Sequence, residues 1–188
     1  MKAELWYAVV VRDRSGKVLS RFRRKSRSFV KQWNQVIYRQ TSNVNINVTD
    51  IGGVARSMTY DVNLLMKAAA GEINYGIVVG TGDTAVVIGD YSLETRIAEG
   101  AGGGQLNYTA STVAVSVVSA PTCGFLLSRS AVNNSGVLIT VKESGIYWRY
   151  KEFATWYYFL AVRDVFGAPQ DVPDGGSITV NYTLRVSV

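Results

Sequence analysis

The clearest pattern lies at the end of the chain. From Ser177 to Val188, the apolar residues Ile178, Val180, Tyr182, Leu184, Val186 and Val188 alternate with Thr179, Asn181, Thr183, Arg185 and Ser187. A period of two sends one set to each face of a β-strand. Leu5 to Val11 reads as an opening strand, rich in β-branched and aromatic residues. Arg14-Ser15-Gly16-Lys17 is a turn signal, and Val18 to Arg23 returns as a second strand. Ser28 then stands as an N-cap before Phe29, Trp33, Val36 and Ile37, whose spacing predicts one apolar stripe on a helix ending near 41–43.

Beyond the helix the pattern changes. Val44, Ile46 and Val48 alternate with Asn45, Asn47 and Thr49 as a half-exposed strand that Gly52-Gly53 breaks. Asp61 to Ala70 fits either a helical turn or two or a strand. Leu93 and Ile97 bracket a segment compatible with one helical turn. Strands are predicted at 75–79, 106–120, 124–129, 136–142, 145–150, 156–164 and 177–188, with turns marked by Pro169, Pro173 and Asp174-Gly175-Gly176. Many short strands and one helix predict a mainly β fold, a β-sandwich or jelly roll with one N-terminal helix and a basic N-terminal arm or hairpin. Residues 1–45 form the basic hairpin or arm and the helix, and 46–188 the β-sandwich body. The opening strand is free to leave the body and add to a neighbour's sheet edge.

Charge sharpens that division. The chain of 188 residues carries a net charge of +6. Residues 1–45 hold 11 Lys/Arg against 2 Asp/Glu, while the remainder is net acidic. Arg21, Arg23, Arg24, Lys25 and Arg27 fall almost together, a block that calls for water or an acidic partner. No apolar run approaches the ~20 residues of a membrane span, so no membrane partner is expected, and the first residues do not read as a secretory signal.

Composition narrows the chemistry. Histidine is absent and Cys123 is the only cysteine. That excludes a Ser-His-Asp triad, a Cys-His pair, a His-ligated metal and an internal disulfide, and no cofactor is expected. Cys123 reads as a small buried residue. Gly80-Thr81-Gly82-Asp83-Thr84 lacks the Lys-Ser or Lys-Thr of a phosphate loop and reads as a β-turn. Glu94 with Glu99, or Asp171 with Asp174, sit in turns where surface carboxylates are common, and Asp83 and Asp90 lack a calcium-loop spacing. A non-enzymatic protein is the expectation.

The most unusual feature is aromatic. Tyr147, Trp148, Tyr150, Phe153, Trp156, Tyr157, Tyr158 and Phe159 lie within thirteen residues. On a strand they place rings on both faces, whereas a sandwich buries one. The second face is expected to meet a sister subunit, with stacking on sugars or on bases as alternatives.

Three further stretches complete a pattern: Tyr75 to Ala85 with Asp90-Tyr91-Ser92-Leu93, then Lys142-Glu143-Ser144-Gly145-Ile146-Tyr147, then Arg163-Asp164-Val165-Phe166 and Gly176 to Thr183. In this order and spacing they resemble a loosely related group of tailed-bacteriophage virion structural proteins. The resemblance implies a small β-sandwich in a virion, synthesised in the host cytoplasm. Similar modules occur on capsid surfaces and on tails or fibres; the expected role here is a capsid decoration or minor capsid component that forms symmetric homo-oligomers and contacts the major capsid or tail proteins. A tail or tail-fibre protein binding host-surface glycan, with Trp148 and Trp156 as platforms, is one alternative. A nucleic-acid binder using the basic segment is the other.

Overall fold

A computed structural model describes residues 2–26, 28–42, 45–58, 65–152 and 154–187. The chain is mainly β, with antiparallel sheets around one core. In chain order the strands are β1 (Lys2–Arg12), β2 (Val18–Ser26), β3 (Ile46–Thr49), β4 (Ala55–Met58), β5 (Gly76–Gly80), β6 (Asn107–Tyr108), β7 (Thr112–Val113), β8 (Val117–Ser119), β9 (Thr122–Val132), β10 (Ile139–Glu152), β11 (Thr155–Val172) and β12 (Ser177–Ser187). Helix α1 (Lys31–Ser42) follows β2.

The larger sheet has seven strands in the order β2-β1-β12-β9-β6, with β7 and β8 also paired to β9. β1 pairs with β12 from Lys2↔Ser187 to Arg12↔Ser177. The basic hairpin is therefore the flank of the body's own sheet and not an arm leaving it. The reason is legible in the alternation: Leu5, Tyr7, Val9 and Val11 are buried with Ile178, Val180 and Tyr182. Removing β1 would strip the sheet of its second row of core side chains. The aligned apolar rows fix the register, since a one-residue slip would turn every one of them to solvent.

The smaller sheet has the order β11-β10-β5. Its inner face meets the larger sheet through Tyr7, Phe166 and Tyr182, with Tyr7 to Phe166 centroids 6.1 Å apart. A polar bridge joins the sheets at the same level. The Ser144 and Tyr182 hydroxyls lie 2.7 Å apart, and the buried Asp164 carboxyl lies at the same level near Tyr182, Ser26 and Ser28. Burial pushes the Asp164 carboxyl up to about 6, against the lowering effect of the neighbouring hydroxyls.

Local expectations shift where tertiary pairing competes for the backbone. Ser28 does not cap the helix. Its carbonyl accepts from Arg163 N, Phe29 bridges to Val162, and the Val30 amide donates to Ala161 O. β11 thus takes the residues ahead of α1, and the helix starts at Lys31. Leu93 to Ile97 is not helical. Its backbone clips to β5 through Thr81 N to Thr95 O and Ile97 N to Val79 O. Pro169 lies within β11, while Pro173 and Gly175 form the turn into β12, where Gly175 adopts a φ of 71°. Within the ambiguous segment 61–70, residues 61–64 lie outside the described residues, and Leu65 bridges to Arg149.

Candidate interaction surface

The outer face of the seven-stranded sheet is built row by row. Arg21, Arg23 and Lys25 on β2 stand opposite Val10, Ala8 and Trp6 on β1. Those three face Thr179, Asn181 and Thr183 on β12, and then Ser130, Ser128 and Leu126 on β9. Cross-strand partners share a face, so this surface carries small hydroxyl and amide side chains and is cationic along one flank.

Trp6 organises the charged corner. The Arg23 guanidinium lies 4.9 Å from its ring centroid and Arg185 lies 5.9 Å from it. Glu4 receives Lys25 at 2.7 Å and Arg185 at 2.6 Å, and the Trp6 indole N–H at 3.3 Å. Those partners hold the Glu4 carboxyl down at about 2, so it stays ionised. One carboxylate thus sits among Lys25, Arg185 and the nearby Arg23, and the corner remains positive.

Arg24 belongs elsewhere. It points to the opposite side of β2, over the Phe22 ring at 5.6 Å, and a Cβ at Gly167 would collide with its guanidinium. Arg27 lies outside the described residues. The five-residue basic block is thus divided by strand alternation, with Arg21, Arg23 and Lys25 kept on one face.

The aromatic cluster is divided too, and here the expectation of a second ring-bearing face left for a sister subunit is corrected. Tyr147, Trp148, Tyr150 and Phe159 are fully buried within the chain. Trp148, Tyr150 and Phe159 face inward; Trp148 lies 5.0 Å from Trp33 of α1, and Tyr150 lies 6.2 Å from Phe159. On the other face the Tyr147 hydroxyl accepts the Leu93 amide at 2.6 Å, and burial raises its pKa. Both faces are covered because α1 closes one end of the core between the sheets and the 81–97 segment lies across the back of the small sheet. Tyr157 and Tyr158 are half-buried, and Trp156 is 40% exposed. Trp156 carries Arg149 at 4.1 Å and Lys151 at 5.2 Å from its ring. Trp148 offers no platform for a sugar, and the side chain of Phe153 lies outside the described residues.

Two arginines that composition did not single out organise the interior. Arg163 is paired with Glu143 at 2.8 Å and Asp90 at 2.9 Å, and reaches Glu94 at 3.4 Å. Burial lowers its pKa, but the Glu143 and Asp90 hydrogen bonds more than offset this and it rises. Glu143 accepts the amides of Thr95 at 2.9 Å, Gly82 at 3.2 Å and Glu94 at 3.3 Å. Glu94 accepts the Thr84 amide and hydroxyl, and these bonds lower its pKa. The Gly-Thr-Gly-Asp-Thr stretch, the Asp-x-x-Leu stretch, Glu143 and Arg163 thus form one clamp that holds the 81–97 segment to the sheet.

Arg129 occupies an inward position of β9 between Leu127 and Ala131. It donates to Thr109 O, Ile77 O, Ala69 O and Glu72 O at 2.6–3.0 Å. Burial lowers its pKa. The sequence signal was a cation at a core position of an alternating strand.

The comparisons with known proteins give no match: no family model, curated protein or solved structure is similar to this chain.

Among the described residues no group of three or more His, Cys, Asp or Glu side chains is placed to hold a metal ion, and no helix is long and apolar enough to cross a membrane. Asp90, Glu94 and Glu143 converge on Arg163, which answers their charge. Glu99 is spent on the Asn107 amide and the Tyr108 backbone N–H. Cys123 is half-buried, 3.5 Å from the Ser116 hydroxyl.

Proposed function

We propose that the chain is a non-enzymatic structural component of a tailed-phage virion, made in the host cytoplasm and placed on the head as a decoration or minor capsid protein. The observation that carries this reading is the outer sheet face on which Arg23, Lys25 and Arg185 gather around Trp6, with Arg21 further along the same face of β2. Such a face fits an acidic surface on a neighbouring shell or tail protein, steered by charge and weakened by salt. The motif succession adds support, because its members up to Arg163 meet in one fold-holding clamp, as expected of a feature shared through architecture. We read that architecture as a β-sandwich. The hairpins β1–β2 and β10–β11 favour it over the Greek keys of a jelly roll. Homo-oligomers on the particle complete the reading.

One observation favours a second reading. An indole on an open sheet face beside Arg23 and Arg185 is also a stacking platform for single-stranded nucleic acid.

Quantitative mass spectrometry of purified particles tests the first reading. Hundreds of copies per particle support a shell position, and absence from particles overturns it. Binding to single-stranded DNA that falls steeply with salt and is lost in Arg21→Glu/Arg23→Glu would support the second.

A further inference from the structure

The outer face of the small sheet ends in a ladder of rings and cations. β5 pairs with β10 as far as Gly76↔Tyr147, and the β10–β11 hairpin runs on beyond it. There Arg149 stands opposite Tyr158 and Lys151 opposite Trp156, so all four share the face turned away from Trp148, Tyr150 and Phe159. Tyr75 stacks on Tyr158 with centroids 6.2 Å apart. The Arg149 guanidinium lies 4.6 Å from the Tyr75 ring and 4.1 Å from the Trp156 ring. Lys151 Nζ is 5.2 Å from the same indole.

Arg149 differs from the other arginines withdrawn from solvent. Arg56, Arg96, Arg129, Arg163 and Arg185 are also buried or half-buried, and each donates to a carboxylate or a carbonyl. Among the described residues nothing accepts from the Arg149 guanidinium, and its Nε is buried without an acceptor. Lys151 pairs with no carboxylate among them either. Glu72, whose charge reaches Tyr158, is turned to the Asn74 amide at 2.7 Å and the Asn74 side chain at 2.8 Å. A half-buried donor group left without an acceptor costs stability, and here two rings hold it in one orientation.

We propose that this ladder binds a nucleotide, with the phosphate on Arg149 and Lys151 and the base against Trp156, whose ring is still 40% exposed. Charge and shape select the ligand. One carboxylate would answer Arg149 alone. Lys151 is two residues further along the strand, about 7 Å away, and adds a second unanswered positive charge. Two cations match a phosphate monoester, which carries about −1.5 to −2 near neutral pH, better than a single carboxylate. An exposed indole beside them offers the base a stacking surface. The site lies on the opposite sheet from the Trp6 corner and does not depend on the assembly reading.

Calorimetric titration of the full chain with adenosine monophosphate at low salt tests this, with an expected Kd below about 1 mM. Adenosine and inorganic phosphate each carry half of the ligand and should bind at least about tenfold more weakly. Arg149→Gln should weaken nucleotide binding at least about tenfold. Lys151→Gln and Trp156→Ala alter exposed side chains, and each should weaken it about fivefold or more. Both should keep the wild-type circular dichroism and bind poly-glutamate, an acidic probe, as the wild type does, which separates this site from the Trp6 corner. A single-stranded oligoadenylate distinguishes the sources of the nucleotide. Binding at least about tenfold tighter than the monophosphate, and weakened by Trp156→Ala, identifies a strand; equal affinity identifies the free nucleotide. No binding at about millimolar nucleotide overturns the proposal. So does inorganic phosphate bound as tightly as the nucleotide, or binding unaltered in both Lys151→Gln and Trp156→Ala. Loss in Arg21→Glu/Arg23→Glu alone would place the ligand at the Trp6 corner and overturn it as well.

Discussion

Glu143 on β10 and Arg163 on β11 meet at 2.8 Å with side-chain exposures of 0% and 3%. Neither charge reaches water, so each depends on the other and on the backbone amides and carboxylates around them. Breaking such a pair leaves an uncompensated buried charge. Arg163→Met strands Glu143 and also releases Asp90 and Glu94. The expected cost is about 3–5 kcal/mol in urea unfolding, with faster amide exchange across 81–97. Glu143→Gln should cost less, since a neutral amide oxygen still accepts from Gly82 or Thr95.

Gly82 sits against this clamp. A Cβ there would meet Glu94 Cβ and would stand 2.7 Å from Glu143 Oε1. Gly82→Ala is expected to destabilise by about 1–3 kcal/mol by overpacking. Gly89→Ala has nothing within 4 Å of its new Cβ and serves as the control, within about 0.5 kcal/mol of wild type. Equal effects at the two positions would count against the clamp.

Asp164 gives the fold a pH dependence. Its carboxyl is raised from 3.8 to about 6, so the folded state prefers the protonated acid. The associated stability is full below about pH 4 and is lost as pH rises through about 6. A two-unit rise corresponds to up to about 3 kcal/mol. Asp164→Asn is expected to flatten this part of the denaturation profile and to match or exceed wild-type stability at pH 7. A profile as steep as the wild type's would remove Asp164 from the account.

The charged face and the core should respond differently to substitution. Arg21→Glu/Arg23→Glu alters exposed side chains and should leave unfolding free energy within about 0.5 kcal/mol per site. It should abolish salt-sensitive binding to poly-glutamate, measured by titration at low and high salt.

Trp148→Ala empties a core position and should cost about 3–5 kcal/mol, with any surface binding unchanged once folded. Trp156→Ala, on a ring 40% exposed, should cost about 1 kcal/mol or less. Both are read by thermal or urea unfolding.

Much of the sheet could be read directly. The alternation of β12 and the β1–β2 turn are period-two patterns, and a half-buried antiparallel strand must carry such a pattern. The cationic block was legible as composition, but its division was not. Arg21, Arg23 and Lys25 separate from Arg24 only when β2 is paired in register with β1. The aromatic run misled for a related reason. Periodicity reports that both faces carry rings, but it is silent on what covers the second face. That cover comes from α1 and from 81–97, which are distant in sequence.

The sequence by itself determined the terminal strands and the β1–β2 hairpin, which face of each terminal strand is apolar, and that cation is concentrated in the first quarter of the chain. These are local properties, fixed by the two-residue period and by side-chain chemistry. Only the tertiary structure decided that the N-terminal strand pairs with the C-terminal one and that Tyr147 and Trp148 are interior. It also brought four separate sequence stretches together at Arg163. Each of those outcomes depends on burying charge or ring surface against partners far along the chain, and one-dimensional spacing does not encode which partners meet.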